Sequence, residues 1–110
     1  MSRAVKYAND RIVFNRPIGK NQSIQHPLAE NWIELEAAEL LIAKAAYQYD
    51  KGENAGGIAN AAKYFAAEAG FKAATQAVVT LGGMGYAKEY HVERLLRESL
   101  IPKLLSLIHI

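Results

Sequence analysis

Three short constellations in this sequence carry groups able to do chemistry. Gly82-Gly83-Met84-Gly85 sets three glycines in four positions, and glycine lets backbone N–H groups come close to a phosphate. The run follows helix-like sequence rather than a strand, so it does not open a dinucleotide-binding βαβ unit, and taken alone it is more often a plain interhelical turn. Arg11 offers a planar guanidinium fork suited to a phosphate, although an arginine at a helix end is more often just solvated. Tyr90-His91 brings an imidazole to a helix start, but no carboxylate or nucleophile is spaced to complete a catalytic set. Neither His91 nor His26 is therefore given a catalytic role. With no cysteine in the chain, thiolate metal sites and a disulfide framework are excluded, and no metal site is expected.

These groups need helices to hold them. Nineteen alanines dominate the apolar half of the composition, and alanine is the strongest intrinsic helix former. From Arg3 to Phe14 the positions of Val5, Tyr7, Ala8, Ile12 and Val13 predict the last turns of a helix with no cap ahead of it. Asn15-Arg16-Pro17-Ile18-Gly19 then breaks it, since Pro17 disfavours helix at Arg16 and Gly19 can take positive φ. Between Gln22 and Asp50, Leu28, Trp32, Leu35, Ile42, Ala46 and Tyr49 recur at helical spacing. Pro27 suits the first turn, and a start nearer Asn21 predicts an irregularity at His26-Pro27. Gly52 is placed to follow the end of that helix.

Ala55, Ala59, Ala62, Ala66, Ala69 and Ala73 step alternately by four and three, a seam of small side chains along a third helix. A second stripe of Ile58, Phe65, Phe71 and Val78 predicts neighbours on two faces. Glu89 to Ile101 reads as a fourth helix, which Pro102 is expected to end or kink. One domain is the ceiling at this length.

The 13 basic and 11 acidic residues are interleaved and sum to +2, so no charged arm for nucleic acid is present. No apolar run reaches the ~18 residues of a membrane span, and Met1-Ser2-Arg3 leads into helix-like sequence without a signal-peptide apolar core. A soluble protein is expected, in the cytoplasm of a bacterium or in the mitochondrial matrix.

The ordered series from Tyr7 to Ile18, then Gln22-Ser23-Ile24-Gln25, Leu28-Ala29-Glu30, Glu36-Ala37-Ala38, Ala62-Lys63, Gly82-Gly83-Met84-Gly85-Tyr86 and Glu89-Tyr90-His91-Val92-Glu93-Arg94-x-x-Arg97-Glu98 resembles the C-terminal domain of the acyl-CoA dehydrogenases. The resemblance covers about Ala4 to Lys103. It implies an all-α, up-and-down four-helix bundle with its first helix truncated, within a homo-oligomeric enzyme that has further domains. It also implies FAD as cofactor, a fatty acyl-CoA substrate dehydrogenated between its α and β carbons, and an electron-transfer partner. By position, Arg11 matches an FAD-phosphate arginine, Gln22 a glutamine eleven residues on, and Gly82-Gly83 a turn against the cofactor.

Departures from the family pattern matter as much. Many relatives have an FAD-contacting glutamine three residues before the glycine pair, where this chain has Val79. Asn15 stands where glycine is common and tolerates positive φ. The catalytic glutamate of well-known relatives falls nine residues after Arg97, on Ser106, and no glutamate follows Glu98. A general base contributes roughly 100- to 10,000-fold in rate, so no catalytic residue is assigned and the isolated chain is expected to be inactive. Other relatives carry this base on the first helix, upstream of Met1, or continue after Ile101-Pro102 with a different segment, and the residues leave that branch open. Residues 1–104 are read as the partial domain, and Leu105-Ser106-Leu107-Ile108-His109-Ile110 as a non-native tail of the kind encoded by a sequencing adapter. The residues alone leave a second reading open: a stand-alone helical module that self-associates through its alanine seam and binds no flavin.

Overall fold

The structure, a computed structural model, describes residues 1–108, with side chains described for residues 1–105. Four helices follow one another: α1 (Ser2–Asp10), α2 (Gln22–Asp50), α3 (Gly56–Leu81) and α4 (Val92–Ile108). A hairpin of β1 (Ile12–Val13) and β2 (Arg16–Pro17) and a 3-10 turn (Ile18–Lys20) join α1 to α2. Two further 3-10 turns, Gly82–Tyr86 and Lys88–Tyr90, join α3 to α4. The chain is an all-α up-and-down bundle, as its sequence predicts.

The first departure lies at the end of α1, which stops at Asp10 rather than running to Phe14. Val13 pairs with Arg16 across a two-residue loop, and Phe14 and Asn15 take positive φ of 51° and 62°, the requirement of a tight type I′ connection. The β-branched pair Ile12-Val13 favours extended backbone, and Pro17 excludes helix at Arg16. Asn15 thus fills the glycine position at little cost, whereas Phe14, 95% exposed, is held in a region that bulky residues rarely visit. Gly19 does not use positive φ. It sits in the 3-10 turn, where a Cβ would stand 2.9 Å from the Ala8 carbonyl oxygen, so its small size lets the turn press against α1.

Helix α2 spans the predicted residues and runs through Pro27 without interruption. Pro27 has no N–H for the Ser23 carbonyl, while its own carbonyl accepts from Asn31 Nδ2 at 2.6 Å. Gly52 follows the helix at φ 74° and donates its N–H to the Tyr49 carbonyl. Burial on α2 departs from the predicted stripe: Leu28, Asn31 and Ala38 are buried, but Trp32, Ile42 and Tyr49 are 57%, 51% and 77% exposed. Along most of its length α2 meets α3 alone among the described residues.

Helix α3 is the hub, packing against α2, α4 and α1. Ala62, Ala69 and Ala73 of the predicted seam are buried, with Ala67 and Ala77 beside them, so helix axes can approach closely along that stretch. Ala55, Ala59 and Ala66 instead line an apolar hollow of about 710 Å3 with Ile42 and Tyr49. The Lys72 ammonium, 2.7 Å from Glu34 Oε1, ties α3 to α2. That hydrogen bond and the Glu34 charge hold Lys72 above its ordinary pKa.

Helix α4 begins at Val92, not Glu89, because His91 adopts a left-handed φ of 59° after the preceding 3-10 turn. Pro102 does not end it. The helix continues to Ile108, with Lys103 fixed 3.1 Å from Glu68 and 4.7 Å from the centre of the Phe71 ring on α3. Of the residues read as a tail, Leu105 to Ile108 continue α4, and residues 109–110 lie outside the described ones. The largest fully buried side chain is Val92, in a core cluster with Ala4, Ala8, Leu28, Ala77 and Leu81. The packed core therefore lies at the end of the bundle where the α1 hairpin, the start of α2 and the glycine turn converge.

Candidate functional site

At that end, Arg11 stands directly after α1 and the glycine turn directly after α3. Gly82 holds φ 58° and ψ −132°, the backbone of the first central residue in a type II′ turn, which glycine reaches without steric cost. No atom lies within 4 Å of where a Cβ would stand at Gly82 or Gly83, leaving the turn's backbone open to an approaching group. Arg11, Gly82 and Gly83 line one cleft of about 300 Å3, with Tyr7, Val13, Ile18 and Thr80 among its walls.

Backbone and side-chain bonds fix the Arg11 wall. The Arg11 N–H donates to the Tyr7 carbonyl at 2.8 Å, and its carbonyl accepts from the Ile18 N–H at 2.9 Å. Its guanidinium makes no hydrogen bond or ion pair among the described residues. Arg16 Nη2 donates to Asn21 Oδ1 at 2.6 Å, and Gln25 Nε2 to the Gly19 carbonyl at 2.7 Å, bracing the hairpin against the start of α2. Between α1 and the turn before α4, Arg3 Nη1 donates to the Tyr90 carbonyl at 3.2 Å, and the Tyr7 and Tyr90 rings meet edge-on with centres 6.0 Å apart.

Of the five residues singled out in the sequence, the structure brings together Arg11, Gly82 and Gly83. Gln22 opens α2 and is exposed outside the cleft's lining, and Val79, 63% exposed, also lies outside it. His26 is exposed on α2, and His91 sits at the α4 start. Thr80, only 4% exposed and accepting a hydrogen bond from Gln76 Nε2, is the cleft residue that sequence reasoning missed. A signal was present, since Thr80 is the polar residue in the run Val78-Val79-Thr80-Leu81.

The architecture is that of a helical module presenting a cation and an open glycine turn on opposite sides of one cleft. Residues 1–106 match the family described as acyl-CoA dehydrogenase, C-terminal domain. Over 98 residues the chain is 49% identical to 3-(aryl)acrylate reductase of Clostridium sporogenes, covering 89% of this chain and 26% of that protein. Over 104 residues it is 44% identical to an acyl-CoA dehydrogenase of Bacillus subtilis, covering 94% and 27%. It superimposes on butyryl-CoA dehydrogenase of Megasphaera elsdenii with a TM-score of 0.90 at 34% identity, covering 97% of this chain and 30% of the other. The chain belongs to the acyl-CoA dehydrogenase family, as its C-terminal helical domain. It spans about a quarter of the length of the curated relatives it matches.

Proposed function

We propose that this chain is the part of an FAD-dependent acyl-CoA dehydrogenase that closes over the cofactor's phosphates, and that alone it turns over no substrate. The carrying observation is the meeting of Arg11 with Gly82-Gly83 in a single cleft. These residues suit a phosphate group: a guanidinium fork with no partner among the described residues, and a turn whose backbone a ligand can approach. When bound, FAD would accept the two electrons removed from the α,β bond of an acyl-CoA. Arg11 would hold phosphate oxygens and the open glycine turn would let them approach closely, while Gln22, outside the cleft's lining, would add a contact only as the family resemblance implies. Val79 supplies no side-chain hydrogen bond where many relatives have a glutamine. Position 106, where the resemblance would place the base that removes the α-proton, is a serine in this chain.

The acyl thioester as substrate follows the names of the dehydrogenase relatives. The 49% identity to the arylacrylate reductase favours a second reading, in which the same cofactor site serves reduction of an aromatic enoate. In either case the parent enzyme is proposed to be a homo-oligomer exchanging electrons with a partner protein, in the cytoplasm or the mitochondrial matrix. Among the described residues no helix is long and apolar enough to cross a membrane.

Grafting residues 1–104 in place of the matching segment of the Bacillus subtilis enzyme tests the cofactor role. The graft is expected to purify yellow, and its Arg11→Ala variant to hold FAD at least about tenfold less tightly, as loss of a charge-assisted contact requires. Equal retention of FAD by both would overturn the assignment. The 110-residue chain, mixed with FAD, butyryl-CoA and a dye acceptor, is expected to reduce no dye.

A further inference from the structure

Thr80 is a polar side chain in an otherwise apolar run, 4% exposed, on the wall of the cleft that Arg11, Gly82 and Gly83 share. A threonine hydroxyl has one proton to donate and two lone pairs to accept with. In a helix the proton usually goes to the carbonyl four residues back. Thr75, one turn and a half earlier on α3, behaves so, donating to the Phe71 carbonyl at 2.9 Å. Thr80 makes no such bond among the described residues. Its oxygen instead accepts from Gln76 Nε2 at 3.3 Å, which occupies one lone pair and leaves the proton uncommitted. A buried donor with no acceptor is costly unless a ligand completes it.

We infer that Thr80, oriented by Gln76, donates its hydroxyl to an oxygen of the phosphate-bearing cofactor seated between Arg11 and Gly82-Gly83, an inference that rests on the proposed cofactor role of the cleft. The contact comes from the position next to Val79, whose apolar side chain can make none. Gln76 touches no ligand and acts as a positioning residue, keeping the hydroxyl from turning back onto its own helix.

The test uses the 110-residue chain, labelled with nitrogen-15 and titrated with ADP as a diphosphate-bearing probe, reading dissociation constants from the Gly82 and Gly83 amide shifts. Thermal melts without ADP report folding separately. Thr80→Ser and Thr80→Ala lose the same methyl and differ in the hydroxyl alone. The serine variant is expected to bind within about twofold of the unsubstituted chain and the alanine variant about tenfold more weakly, with Gln76→Leu about threefold weaker, for hydrogen bonds of ordinary strength. Equal affinities of the serine and alanine variants overturn the inference while leaving the cleft's role intact, provided Arg11→Ala still weakens binding. Unchanged binding by Arg11→Ala, or no ADP binding by the unsubstituted chain, overturns the cofactor reading and this inference with it.

Discussion

Gly82 and Gly83 are neighbours of the same type, yet substitution should separate them. Gly82 occupies positive φ, so Gly82→Ala forces a side chain into strained backbone and is expected to cost about 1–3 kcal/mol in a urea melt. Gly83→Ala meets open space at a φ outside that region and should cost far less. Within the core, Val92→Ala is expected to lose about 1–3 kcal/mol, because Val92 is 1% exposed among small neighbours that fill space poorly. Arg11, Gly82 and Gly83 were legible as chemistry because residue type alone suggests what a fork and a flexible turn can hold. Gln22 and Val79 came from resemblance alone, and both lie outside the cleft's lining. The signal at Thr80 was faint, because in a helix of period 3.6 one hydroxyl in an apolar run reads as a tolerated exception until burial shows which way it must be satisfied.

Pro102 sits inside α4 and withholds a hydrogen bond from the Glu98 carbonyl. Pro102→Ala is therefore expected to stabilise the bundle by about 1–3 kcal/mol, seen as a higher melting temperature. The ion pairs give opposite pH signatures. On α4 the Arg97 hydrogen bond holds Glu93 below the ordinary carboxylate pKa, so the stability it lends is present above that range and lost as pH falls through the depressed value. A Glu93→Gln melt should be slightly lower at neutral pH and converge with the parent in acid. Lys72 is raised by Glu34, so its contribution is complete below the ordinary lysine value and lost as pH rises through the raised one; Lys72→Met should converge in strong alkali. Helices α2 and α3 were readable from periodicity and breakers, but the end of α1 was not. Ile12 and Val13 fit the tail of a helical pattern, and their pairing with Arg16 and Pro17 depends on two positive-φ residues, one of them a phenylalanine that no propensity would place there. At Pro102 local propensity was overridden by the Lys103 anchorage to Glu68 and Phe71 on α3.

The molecule measures 56 × 24 × 18 Å with a radius of gyration of 16.5 Å, against about 13 Å for a compact domain of ~100 residues. Among the described residues, eight of the eleven buried apolar ones are alanine, each removing little surface from water. Meanwhile Ile33, Leu40 and Tyr47, spaced by seven on α2, are 59%, 72% and 61% exposed. The isolated chain is thus expected to associate as concentration rises in sedimentation runs, and Leu40→Lys with Tyr47→Lys to shift it toward monomer. The placement of α3 as hub also dictates the order of assembly. The Lys72–Glu34 contact between α2 and α3 bridges 38 positions, whereas the Arg3–Tyr90 contact that ties α1 to the start of α4 bridges 87, a little more than one doubling and about 0.7 kcal/mol of added closure entropy. The α2–α3 hairpin can zip up on its own, while the Arg11 wall must wait for the ends of the chain to find each other. Native-state amide exchange should accordingly be faster at Arg11 and Gly83 than in the middle of α3: the cleft closes after the α2–α3 hairpin and opens before it.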